Sequence, residues 1–117
     1  DAGAVESARA NAERAGVADL IEWRTAPIAE LARPDGTDGR PGLLVANPPW
    51  GGRLAGGDLR NLYATLGRVA SEGFAGWSLG VLVADRTLAR QVRPGLTEAL
   101  QLELGGRQAW YLTGRLR

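Results

Sequence analysis

An apolar run at residues 42–46, Gly-Leu-Leu-Val-Ala, stops abruptly at Asn47-Pro48-Pro49-Trp50. That junction constrains the fold more than any other feature of the chain. Five residues without a polar interruption read as a strand buried on both faces, as in a parallel sheet wrapped by helices. The prolines end it: each fixes φ and lacks an N–H, and Pro48 also pushes Asn47 out of the helical region. A stiff loop therefore leaves the C-terminal end of a strand, where open α/β sheets bind their ligands.

The remaining segments supply a matching architecture. Val5, Ala8, Ala12 and Ala15 recur at spacings of three and four and predict a helix over 4–16, with Gly16 as its left-handed cap. Residues 20–24 (LIEWR) alternate as a short strand would, and a turn-rich connector covers 34–41. Leu59, Leu62, Tyr63, Leu66, Val69 and Ala70 line one face of a second helix, with Asp58 placed to cap it. Residues 78–84 (SLGVLVA) form another buried strand, and Asp85 caps a short helix reaching about Val92. The segments 99–104 and 109–116, joined by Gly105-Gly106-Arg107-Gln108, read as a hairpin. The pattern as a whole is an α/β sheet with an antiparallel edge. No internal repeat or low-complexity tract interrupts it.

Composition removes many chemistries. The 117 residues include no His, Cys, Met or Lys, and all 14 basic residues are Arg. Without Cys or His there is no disulfide framework, no zinc ribbon, no thiol nucleophile and no Ser-His-Asp triad. Without Lys there is no Schiff base and no Walker-type phosphate lysine. A metal site is not expected. The net charge of +1 gives no general nucleic-acid footprint. No stretch approaches 18 apolar residues and no signal-peptide pattern opens the chain, so the expectation is a soluble, cytoplasmic protein.

The Asn-Pro-Pro-Trp loop suits one chemistry that this composition permits. The Asn47 side chain and the carbonyls of Asn47 and Pro48 form a rigid group of acceptors, and Trp50 adds a flat apolar face. A planar exocyclic amine of guanine, adenine or cytosine is a poor nucleophile because its lone pair is delocalised into the ring. Accepting hydrogen bonds from both of its N–H groups favours a pyramidal nitrogen whose lone pair points at an electrophile. Such catalysis rests on positioning and electrostatics and needs no strong base. Stacking on Trp50 helps offset the cost of extruding a base. The same tetrapeptide also serves as a plain rigid turn at a strand end. Tyr63, Trp23, Trp77 and Trp110 fit core packing, and Asn11 and Asp85 fit structural roles.

Asn47-Pro48-Pro49-Trp50 resembles the (N/D)PP(Y/F/W) signature of class I S-adenosylmethionine-dependent amino-methyltransferases. Gly51, Arg53 and Leu54, then Leu62-Tyr63, Leu66-Gly67, Gly76-Trp77 and the strand SLGVLVA narrow the resemblance. They are similar to the THUMP-associated RNA guanine-N2 methyltransferases, in particular the bacterial 23S rRNA enzymes of the RlmL type. Ala8-Arg9, Asn11-Ala12, Ala15-Gly16 and Leu20-Ile21 carry the likeness upstream, so that it spans residues 1–117. It implies the C-terminal part of a Rossmann-like class I methyltransferase sheet, lacking its first strands and its glycine-rich loop. Asn47, Pro48, Pro49 and Trp50 would then be the catalytic group, with Trp50 and Arg53 on the substrate. The implied cofactor is S-adenosylmethionine, with Asn47 beside it and Asp1 matching the second acid of the family's Asp-x-Asp strand end. Pro27 stands where the family has the aspartate that contacts the cofactor's adenine.

The implied partner is large-subunit rRNA, bound through a longer parent enzyme. An N6-adenine or protein-glutamine methyltransferase with the same loop, and a catalytically inactive interaction module, remain alternatives. In the family's sheet two strands lie between the strand at residue 20 and the strand at residue 42. The expectation is therefore exposed strand edges and a tendency of the chain to self-associate.

Overall fold

The computed structural model describes residues 1–51 and 56–117. They form two compact units, Asp1–Leu31 and Ala32–Arg117.

The first unit is built on α1 (Ala2–Ala15). Asp1 caps it, its Oδ1 accepting from the N–H groups of Gly3 at 2.8 Å and Ala4 at 3.2 Å. Gly16 ends it at φ 74°, a left-handed conformation in which an L side chain is strained. Asn11 accepts from the Arg14 guanidinium one turn later, a contact within the helix. Two 3₁₀ turns follow, at Ala18–Leu20 and Ile28–Glu30. The strand expected at 20–24 does not form. Leu20 ends a 3₁₀ turn, and Ile21 is extended but belongs to no ladder among the described residues. Apolar alternation marks an extended segment, yet a strand exists only through hydrogen bonds to a neighbour, and none pairs here.

The second unit is a four-stranded sheet in the order β1-β2-β4-β3 with two helices. Its elements are β1 (Leu43–Ala46), α2 (Gly56–Gly73), β2 (Ser78–Val83), α3 (Arg86–Val92), β3 (Thr97–Leu104) and β4 (Arg107–Arg115). β1 and β2 are parallel, with Leu43 opposite Ser78 and Ala46 opposite Val81. β4 runs antiparallel to both β2 and β3. The two-residue turn between β3 and β4 has φ 57° at Gly105 and 77° at Gly106, the left-handed pair of a type I′ hairpin. The turn is tighter than the four-residue connection expected from sequence, because the ladder extends to Leu104 and Arg107.

The core is centred on β2, where Leu79, Val81 and Val83 are fully buried. Leu59, Tyr63, Leu66, Val69, Ala70 and Phe74 of α2 and the adjoining turn, with Ala109, Leu112 and Leu116, complete it. The stripe predicted for α2 is buried except for Leu62, which is half-buried, and the helix begins two residues before Asp58. That aspartate lies in the first turn, where its charge still opposes the helix dipole favourably. Arg33 holds the other end, its Nε donating to Gly73 O at 2.7 Å and its Nη2 to Ala75 O. Gly67 lets α2 meet α3, since a Cβ there would lie 2.0 Å from the Val92 carbonyl oxygen. Asp85 caps α3 as expected, accepting from Thr87 and Leu88 at 2.8 and 3.3 Å.

β1 departs from the expectation of burial on both faces: Leu43 is 58% and Val45 56% exposed. The cause is face and position. Leu43 and Val45 register with Ser78 and Gly80, opposite the face on which Leu79 and Val81 are buried. β1 is also an outer strand that pairs with β2 alone among the described residues, so even Leu44 and Ala46 on the core face are half-buried. Trp77 packs edge-on against Phe74 with centroids 5.2 Å apart, whereas Trp23 and Trp110 are half-buried.

Candidate active site

The chain leaves β1 at Ala46 and enters the Asn47-Pro48-Pro49-Trp50 loop at the C-terminal end of the parallel strand pair. Two side-chain hydrogen bonds anchor this loop to the core. The Tyr63 hydroxyl, from α2, donates to the Pro49 carbonyl at 2.8 Å. The Trp50 indole Nε1–H donates to the Leu82 carbonyl of β2 at 3.2 Å. Pro48 is buried, Trp50 half-buried, and Asn47 and Pro49 exposed.

These contacts follow from residue type. A tyrosine in an apolar helical stripe buries its ring, but its hydroxyl must still find a partner. Tyr63 is 1% exposed, and burial raises its phenol above the ordinary 10.0, with the Asp85 charge adding to the shift. It therefore remains a neutral donor at physiological pH and holds the second proline in place. No side-chain hydrogen bond of the described residues ends on Asn47 or Pro48. Their oxygens are the acceptors that the loop can offer to a ligand. Asn47, Pro48, Pro49 and Trp50 line an open cavity of about 430 Å³.

Trp50 also borders a second cavity of about 730 Å³, whose walls include Arg60, Arg107 and Trp110. The Arg107 guanidinium carbon lies 5.6 Å from the centroid of the Trp50 ring, and Arg86 lies 4.7 Å from that of Trp110. Both distances are within cation–π range.

The family model described as "RMKL-like, methyltransferase domain" matches residues 1–108. This chain belongs to that family. The RMKL-like methyltransferase domain here is 41% identical over 91 residues to the ribosomal RNA large subunit methyltransferase K/L of Chromohalobacter salexigens. That match covers 75% of this chain and 12% of the relative, so the chain spans a small part of that enzyme's length. SMU.472, a methyltransferase crystallised with SAH, superposes with a TM-score of 0.85 at 22% identity, over all of this chain and 30% of its own. A protein of Listeria monocytogenes described as an N6-adenine-specific DNA methylase gives 0.68 at 29% identity, over 95% of this chain and 28% of its own.

Within this methyltransferase domain, the structure brings Asn47, Pro48, Pro49 and Trp50 together at one cavity. Arg53 lies outside the described residues. Asp1 belongs to the first unit, where its Oδ1 caps α1. Pro27 precedes the second 3₁₀ turn and borders a small cavity of about 270 Å³ with Arg24, Ala26, Ile28 and Leu31. Among the described residues no group of three or more His, Cys, Asp or Glu could hold a metal ion, and no helix is long and apolar enough to cross a membrane.

Sequence reasoning placed Tyr63 in the core but missed its hold on Pro49. The signal was present in the polar tip of an otherwise apolar stripe. Arg107 and Trp110 gave none, since a hairpin residue and a strand tryptophan show no link to a loop some 60 positions earlier until the sheet is assembled.

Proposed function

We propose that this chain carries the target-amine site of an S-adenosylmethionine-dependent methyltransferase that modifies the exocyclic N2 amine of guanine in large-subunit rRNA. The supporting observation is the acceptor loop itself. Asn47 and Pro48 present oxygens with no side-chain donor on them among the described residues, while Tyr63 and Leu82 fix the residues that follow. The Asn47 Oδ1 and the Pro48 carbonyl each accept one N–H of the amine, and Trp50 stacks on the extruded base. Because both anchors are made before the amine arrives, little reorganisation is left for the reaction.

The described lining of the loop cavity suits the cofactor's reactive end. It contains acceptor oxygens and no cation, so a sulfonium group meets partial negative charge. S-adenosylmethionine, when bound, supplies an electrophilic methyl group. Asn47 would lie beside it. Arg53 would contact the RNA. A cytoplasmic location accords with an rRNA substrate.

A second reading is N6-adenine methylation, which the name of the Listeria monocytogenes neighbour favours and the same acceptors would serve. Nucleoside mass spectrometry of rRNA from cells with and without the parent enzyme distinguishes the two. The guanine reading expects loss of N2-methylguanosine alone; loss of N6-methyladenosine would replace it with the adenine reading.

A further inference from the structure

Trp50 also borders a second cavity, at whose edge Asp85 is engaged in capping α3. Arg60, Arg86 and Arg107 meet there with Trp50 and Trp110. Each tryptophan has one guanidinium over its ring, Arg107 at 5.6 Å and Arg86 at 4.7 Å. Arg86 is tethered further by Glu98, whose Oε2 is 3.1 Å from its Nη1. Among the described residues, neither Arg60 nor Arg107 has a carboxylate within ion-pair distance.

This arrangement fits a nucleotide better than a simple anion. An arginine held over an indole has lost much of its rotamer freedom, and its planar fork of N–H donors suits a phosphate. A guanidinium plane backed by an indole also offers its other face to a base. Trp50 forms part of both this cavity and the Asn47 cavity, so a strand with one base in the first would bring its neighbour to the second.

We propose that this cavity seats the nucleotide flanking the modified one in single-stranded RNA. Arg107 and Arg60 take its phosphate, Arg86 on Trp110 takes its base, and Trp50 is the wall between the two nucleotides. The proposal rests on the target-amine reading of the Asn47 loop. It gives a weakly charged chain a local cationic contact although its net charge is only +1.

The test is fluorescence anisotropy of residues 1–117 with a labelled single-stranded RNA heptamer carrying a central guanine, titrated with salt. Arg107→Ala and Arg60→Ala should each flatten the plot of log affinity against log salt by about 0.7, the loss of one phosphate contact on a single strand. Both should weaken binding equally for heptamers of different sequence. Trp110→Ala should weaken binding by about fivefold or more, and Trp110→Phe, which keeps an aromatic backing and guards against misfolding, should restore most of it. Arg68→Ala, on an arginine paired with Glu72 outside the cavity, should change nothing.

Absence of binding by the wild-type chain, or an unchanged salt slope in both arginine variants, would overturn the proposal. So would displacement of the RNA by millimolar inorganic phosphate whatever the oligonucleotide length, which marks a lone anion site, or equal Arg107-dependent binding of poly-glutamate. The readout is binding and not methyl transfer. Unchanged slopes reject the seat while the amine site stands; slopes that fall as expected, with no N2-methylguanosine formed by the parent enzyme, reject the amine reading and keep the seat.

Discussion

β1 and β2 are read from nearly interchangeable sequences, Leu-Leu-Val-Ala and Ser-Leu-Gly-Val-Leu-Val, yet the fold treats them differently. β2 lies between β1 and β4, and its Leu79, Val81 and Val83 are fully buried. β1 has one neighbour among the described residues, and Leu43 and Val45 are more than half exposed. Leu43 and Val45 share the face of Ser78 and Gly80, whereas Leu44 and Ala46, opposite Leu79 and Val81, are half-buried. Burial is therefore decided by face and by place in the ladder and not by apolar content. The Asn47-Pro48-Pro49-Trp50 loop grows from the less buried strand of the pair. Its rigidity is borrowed from the other, through Trp50 on Leu82, and from α2, through Tyr63 on Pro49.

The sharpest way to break this contrast is to truncate a leucine on each strand. Leu79→Ala should destabilise the chain by about 2–5 kcal/mol in denaturant unfolding, because it opens a cavity in a packed core. Equal effects from Leu79→Ala and its β1 counterpart, described below, would mean that β1 is as buried as β2.

Tyr63→Phe tests whether the loop depends on the core. Removing the hydroxyl should cost about 0.5–1.5 kcal/mol, the net worth of one hydrogen bond. In the parent enzyme it should also lower kcat by about ten- to a hundredfold through misplacement of the loop, with KM for the cofactor little changed. Restoration of the rate by a second donor at this position would confirm a positioning role; an unchanged kcat would detach Tyr63 from the site.

Alkaline titration sharpens the same point. Burial raises the Tyr63 phenol above 10.0 in the folded chain. The neutral form is therefore favoured by folding, so its contribution is fully present below pH 10 and lost as pH rises through the raised value. The stability difference between the wild type and Tyr63→Phe should shrink over that range, as followed by urea unfolding at successive pH values.

Leu43→Ala on β1 should give the smallest effect, about 0.5 kcal/mol or less. A larger loss would show that the exposed face of β1 is covered in solution.

Much of the site was legible in the sequence because the information is local. Two prolines after an apolar run dictate a stiff strand end whatever surrounds them, and Asp85, Gly16 and the Gly105-Gly106 turn act through their own backbone geometry. What escaped was set by non-local pairing. The segment at residue 20 alternates like a strand but has no ladder among the described residues, and β1 looks buried until its place in the sheet is known. The tie from Tyr63 to Pro49 and the meeting of Arg107 with Trp50 span 14 and 57 positions, distances at which no periodicity operates.

The central claim is that the Asn47 side chain accepts from the reacting amine. The most direct measurement is single-turnover methyl transfer by the parent enzyme carrying Asn47→Ala, alongside Asn47→Asp and cofactor binding by calorimetry. Loss of one preorganised group of this kind should lower the rate by about 10²–10³-fold. Cofactor affinity should stay within about threefold, and Asn47→Asp, which keeps an acceptor oxygen, should retain more of the rate. An Asn47→Ala enzyme that transfers methyl groups at nearly the wild-type rate would contradict the account.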